Sequence, residues 1–219
     1  TGEVEGVTYT KRDRAGIEAL IGGEASFEDT FAGADWGALE TTCTSGVTDM
    51  SQMFYAGYIN GFDSSNAINV DIGTWDTSSV TDMSRMFYQA DDFNQPIGAW
   101  DTSSVTDMSE MFASTDSFNQ DISGWDTSSV TTLESTFQGA IFDQPLGSWD
   151  VSSVTDLTET FSGNNPDASI NNWDTGSVTT MERTFQGFTF DGSGYDGPLD
   201  NWDVSNVTNM REMFYHNGN

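Results

Sequence analysis

Apolar residues return along most of this chain at fixed intervals. After Val80 they fall at Met83, Met86, Phe87 and Ala90, the spacing of one face of a helix or tight helical coil. Asp76, Thr77 and Ser78 stand just before, with oxygens suited to accept the free amides of a first turn. Phe93-Asn94-Gln95-Pro96-Ile97-Gly98-Ala99-Trp100 follows, where Gly, Pro and Asn punctuate a short extended piece around Ile97. Its equivalents lie at Ile72, Ile122, Leu146, Ile170 and Leu199. The pattern predicts one short strand and one helical segment per unit.

That unit recurs. A marker valine stands at Val47, Val80, Val105, Val130, Val154, Val178 and Val207, mostly 24 or 25 residues apart, with gaps of 33 and 29 at the two ends. Each is followed seven residues on by phenylalanine, from Phe54 to Phe214, and all nine methionines fall three or six residues after a marker. Six of the seven tryptophans stand five residues before one; Trp36 lies outside the register. A period of this length is that of a solenoid, whose units bury their apolar faces only against neighbours. The expected fold class is therefore an α/β repeat of about seven coils over residues 42–219. Residues 1–41 read as an N-terminal cap, with an amphipathic helix from Thr10 to Ile21 ending at Gly22-Gly23, and Phe27–Phe31 echoing Met50–Phe54.

Composition narrows the partners. Thirty-five acidic residues face six Lys and Arg, a formal net charge of −29. Clustered cations, which a phosphate backbone or an anionic lipid surface requires, are missing, so neither nucleic acid nor acidic membrane is expected as a partner. One cysteine, Cys43, rules out an internal disulfide framework, and one histidine, His216, leaves little from which to build a His triad or multi-histidine metal centre. No apolar run reaches the ~18 residues of a membrane span. A start at Thr1 with no signal peptide reads as a segment of something longer, monomeric by itself.

The phrase W-D-[TV]-S-S-V-T-[DT]-[ML], followed by F-N-Q-x-I, resembles the repeat, of about 25–26 residues, of BspA-type leucine-rich-repeat bacterial surface proteins. The likeness covers roughly residues 42–219 and departs at Thr42-Cys43, which stand where Trp-Asp would be. The resemblance implies a right-handed leucine-rich-repeat-like solenoid in an exported, cell-surface setting, adhering to a protein of a host or neighbouring cell. It implies no catalytic residues, so no enzyme activity is expected. A carbohydrate-binding module and a passive spacer are the alternatives.

Candidate sites lie where the repeat breaks, since insertions in such arrays map to loops and often to the binding face. Extra residues occur in Tyr55–Asn69 and Gly187–Asp200, both rich in glycine and aromatics. The expected binding surface is the strand-bearing face together with these two loops, with Tyr55, Tyr58, Phe62, Phe188 and Tyr195 as the expected ligand contacts. The periodic Met, Phe and Trp positions read as core. The column Asp76, Asp101, Asp126, Asp150, Asp174 and Asp203 reads as a row of caps accepting amides at the start of a helical turn. Turn chemistry likewise accounts for the Ser and Thr columns. No cofactor is required. Calcium is not needed for folding, and any ordered ion is expected where Asp191, Asp196 and Asp200 surround flexible glycines. Finally, equal repeat positions should bring Arg85 against Glu110, and Arg183 between Glu159 and Glu212.

Overall fold

Left-handed backbone recurs at one position of every unit. The fifth residue after the marker valine has φ of 52–57° in all seven repeats, at Gln52, Arg85, Glu110, Ser135, Glu159, Arg183 and Glu212. A second such residue follows four later in five of them, at Gln89, Ser114, Gly139, Gly163 and His216. A right-handed helix cannot pass through these residues. The chain instead makes successive tight turns: Met86 N–H donates to Met83 C=O at 3.2 Å, Tyr88 to Arg85 at 3.2 Å and Ala90 to Phe87 at 3.0 Å. The left-handed residue takes the third place of the turn, as in type II turns.

The computed structural model describes residues 2–4, 7–21, 35–55, 69–187 and 195–216. It corrects the expected fold class. Among the described residues the strands are β1 (Gly2–Val4), β2 (Val7–Lys11) and β3 (Thr42–Cys43), and the helices are α1 (Arg14–Glu18) and α2 (Trp36–Glu40). All precede the first marker valine; the described repeats add only a 3-10 turn at Ala168–Asn172. No strand forms around Ile97 and no helix follows Val80, so the seven-coil leucine-rich-repeat-like solenoid of strand and helix is not what this chain builds. The cap helix also starts later than its apolar spacing suggests, because Thr10 and Lys11 pair in parallel with Thr42 and Cys43. Phe27–Phe31 and Gly22-Gly23 lie outside the described residues, and Trp36 opens α2.

The repeats instead join through backbone that is extended for a single residue at a time. Parallel bridges run Asp49, Asp82, Asp107, Thr132, Asp156, Thr180, Asn209, one residue per repeat. Beyond each bridge, alternate amides donate to the next repeat: Met83 to Asp107 C=O at 3.0 Å, Arg85 to Ser109 at 2.8 Å and Phe87 to Met111 at 3.0 Å. The left-handed residues make this possible by turning successive amides to the same side, and tertiary hydrogen bonds offset their conformational cost.

Apolar columns form between the turns. The marker-plus-seven phenylalanines stack 5.6–5.8 Å apart from Phe54 to Phe214. Phe93, Phe118 and Phe142 form a second column, each also against a ring of the first, at 3.9, 4.2 and 4.6 Å. Each repeat tryptophan is buried, and its indole N–H donates to a carbonyl of the preceding repeat, as Trp125 does to Ile97 at 3.1 Å, or, for Trp75, to Leu39 of α2 at 3.1 Å. The core reading of these periodic positions therefore holds through Phe185, although the secondary structure carrying them differs; in the last repeat Met210 and Phe214 are exposed.

Arg14 closes the first edge. Asp49 and Ser51 present the carbonyls that in later repeats accept amides from the repeat before. Here the Arg14 guanidinium donates to both, at 3.1 and 2.6 Å, and to the Asp49 carboxylate at 2.6 Å. An open edge of acceptors is thereby covered by a side chain.

The left-handed backbone should carry a measurable cost. Gln52 is exposed and left-handed, with φ of 57°. Gln52→Gly should stabilise the chain by about 0.5–1 kcal/mol, and Gln52→Val should destabilise it by about 1 kcal/mol, because β-branched residues tolerate this region least. Urea midpoints for the two variants check this. Equal midpoints would mean that no strain resides there.

Candidate functional site

The expected contact residues do not gather into one site. Tyr58, Phe62, Phe188 and Asp191 lie outside the described residues. Tyr55 is 40% exposed, and its ring stacks on Tyr88 at 5.2 Å and 28°. Tyr195 is only 4% exposed: its ring packs on Phe185 at 4.7 Å and its hydroxyl donates to Pro198 C=O at 2.9 Å. It is a core ring, not an exposed contact. The reason is register, since Tyr195-Asp196-Gly197-Pro198-Leu199 repeats the spacing of Phe93-Asn94-Gln95-Pro96-Ile97. Tyr195 thus continues the second aromatic column, a signal legible in the sequence four residues before Leu199.

The same register places Asp196 where Asn94, Asn119 and Asp143 form a side-chain ladder. Asn94 Oδ1 accepts the Asn119 amide at 3.1 Å, and Asn119 Nδ2 donates to Asp143 at 2.8 Å. Asp196 and Asp200 are exposed. Among the described residues no group of three acidic, histidine or cysteine side chains is arranged to hold a metal ion.

The aspartate column is engaged by turns. Oδ1 of Asp76, Asp101, Asp126 and Asp150 accepts both the backbone N–H and the hydroxyl of the serine two residues on, at 2.6–3.2 Å. Asp174 accepts the amide of Gly176, and Asp203 that of Ser205. These are Asx turns, not helix caps, because a single turn rather than a helix follows, as where Val80 N–H donates to Thr77 C=O at 2.9 Å. The serine hydroxyl and then its amide hold the Asp101, Asp126 and Asp150 carboxyls below their ordinary pKa.

The few cations lie where equal repeat positions place them. Arg85 pairs with Glu110 at 2.6 Å, and Arg183 bridges Glu159 and Glu212 at 3.2 and 2.6 Å. Elsewhere carboxylates crowd. Partial desolvation, then Asp156, Glu110 and Glu159, push the Glu134 carboxyl up, with a smaller opposing pull from Arg85. Burial, then Asp116 and Asp92, do the same to Asp91.

The surface feature that stands apart is the Tyr55–Tyr88 pair. The Glu110 hydrogen bond is the main cause of the raised pKa of Arg85, with smaller contributions from Tyr88 and Tyr55. Tyr88 is inconspicuous in the sequence because it sits beside the regular Phe87. The signal that could have found it is the column itself, which reads Tyr55, Tyr88, Ala113, Gln138, Ser162, Gln186, Tyr215. Among the described residues no helix is long and apolar enough to cross a membrane.

A family model, that of a Mycoplasma protein of unknown function, DUF285, matches residues 57–166 and again 142–219. No curated protein and no solved structure matches.

Proposed function

The chain belongs to this DUF285 family, which is associated with BspA-like repeat proteins and consistent with a bacterial surface repeat protein, and we propose that it is a binding module and not an enzyme, displayed outside the cell as part of a larger surface protein. Its partner is a protein of a host or neighbouring cell, engaged through the segments that interrupt the period, 55–69 and 187–200. The observation that carries this reading is Tyr55. The regular Val, Met, Phe and Trp positions are buried through most of the stack, whereas this ring, at the start of an insertion, is well exposed on a neighbouring tyrosine. Residues beyond the repeat period cost conformational entropy to order, and binding is the usual return on such loops.

The test is to trim both insertions to the regular period and compare the trimmed and intact chains on arrays of surface proteins and glycans. The expected result is capture of a surface protein by the intact chain, weakened at least about tenfold on trimming, as for removal of a hot spot. Capture of glycans alone would transfer the function to carbohydrate binding. Unchanged protein capture by the trimmed chain would sink the role of the insertions.

A further inference from the structure

Every junction between repeats is made in the same way. The amides of the third, fifth and seventh residues after a marker valine donate to the next unit, as Met181, Arg183 and Phe185 do to the carbonyls of Asn209, Arg211 and Met213 at 2.8, 2.9 and 2.9 Å. The third and seventh side chains, and the side chain three residues before the valine, are covered in the process. Through the first six units they are no more than 1% exposed. In the seventh unit their equivalents are Val204, Met210 and Phe214, which are 43–48% exposed. Phe214 stacks on Phe185 at 5.6 Å, and among the described residues no ring lies on its other face. Nor, among the described residues, do the amides of Met210, Glu212 and Phe214 have an acceptor.

The two ends of the stack therefore differ. At the first unit the outward groups are carbonyls, and Arg14 covers those of Asp49 and Ser51. At the last unit they are amides beside exposed apolar side chains, and two carbonyls there also keep room for a donor. In earlier units the equivalent carbonyls accept twice: Ile97 takes the Trp100 amide and the Trp125 indole, and Thr81 takes the amide and the hydroxyl of Thr106. Among the described residues Leu199 accepts the Trp202 amide alone, and Thr208 accepts nothing. Whatever fits this face must offer carbonyls at alternate residues, a ring for Phe214, an indole N–H for Leu199 and a threonine for Thr208. A second copy of the chain does not. Its last unit would set amides against amides, and Arg14 already covers carbonyls of its first.

We propose that the seventh unit ends in a docking face for one further unit of the same repeat, carried by the larger surface protein of which this chain is read as a part; the inference rests on that part of the binding-module reading. The added unit extends the phenylalanine column past Phe214 and supplies the missing acceptors, as each unit does for the one before it. Terminal units of a solenoid otherwise need a polar outer face, and an open edge of backbone groups beside apolar side chains invites pairing.

Amide exchange read by NMR tests this on the intact chain and on a chain extended after Asn219 by a copy of residues 93–117, which keeps the regular period. A shuffled copy of the same segment is the control. In the intact chain the Met210, Glu212 and Phe214 amides should exchange as open amides do, at every protein concentration. The extension should slow them at least about tenfold, and the shuffled copy should not. Phe214→Ala should lower the thermal midpoint of the extended chain by about 5 °C more than that of the intact chain, because only the added unit buries the ring. Slow exchange in the intact chain overturns the proposal, since the face is then already covered. Protection that rises with concentration overturns it in favour of a second copy. Equal exchange with the extension and with its shuffled copy overturns it as well. The amides of Met83, Arg85 and Phe87 report on the earlier units in the same spectra, and their loss of protection on extension counts against the proposal too. Array capture is a separate measurement. If no surface protein or glycan is captured while the extension docks, the binding-module reading fails and this inference stands. If a surface protein is captured while the extension leaves the Phe214 amide open, that reading stands and this inference fails.

Discussion

Phe137→Ala should lower the unfolding free energy by about 3–5 kcal/mol, the usual cost of truncating a buried aromatic residue. The ring is fully buried and central. It stacks on Phe112 and Phe161 at 5.8 Å each, on Phe142 at 4.6 Å and against Trp149 at 6.0 Å. A cavity here opens both aromatic columns at once, and the hydrogen bonds from Phe137 N–H to Thr160 C=O and from Ala140 N–H to Phe137 C=O keep the backbone from collapsing into it. Glu134→Ala, three residues away in the same turn, is the control. Its carboxyl is exposed and repelled by Asp156, Glu110 and Glu159, so its removal should change stability by less than about 0.5 kcal/mol. Urea unfolding of both variants decides the matter. Equal, small shifts would mean that the phenylalanine column does not hold the repeats together.

Gly98→Ala should destabilise by about 1–3 kcal/mol, the typical cost of forcing an extra methyl into a packed site. A Cβ at Gly98 would run into the backbone carbonyl of Asp121 in the next repeat, and that atom cannot move without parting the two units. Gly124 offers the matched comparison. A methyl there would find its nearest neighbour, the Gly98 carbonyl oxygen, 4.0 Å away, so Gly124→Ala should be neutral or gain up to about 1 kcal/mol by restricting the unfolded chain. Thermal midpoints that fall equally for both would contradict the close approach at Gly98.

The candidate site was partly legible. Tyr55 could be chosen from sequence because it opens an interruption of the period, and the structure leaves it exposed. Tyr195 looked equivalent, but the five-residue phrase from Tyr195 to Leu199 belongs to the register of Phe93–Ile97, and register takes precedence over local glycine content. Tyr88 was hidden beside a core phenylalanine. Its prominence comes from stacking on a residue 33 positions earlier, a neighbour that no local window contains.

By itself, the sequence determined which residues are inside. Identical residues every 24–25 positions must occupy equivalent places in a stack, so the burial of Val, Met, Phe and Trp in all but the last repeat, where Met210 and Phe214 are exposed, and the facing of Arg85 with Glu110 and of Arg183 with Glu159 and Glu212, followed from counting. Only the tertiary structure decided how the backbone runs between them. Spacings of three and four residues suit a helix, but they suit equally a chain of turns that returns to the same side every four residues. Local propensity cannot choose, because Arg85, Glu110 and Glu159 are ordinary helix formers. What chooses is the neighbouring repeat. Its carbonyls accept the amides of Met83, Arg85 and Phe87, and those bonds exist only when the fifth residue of each unit is held left-handed.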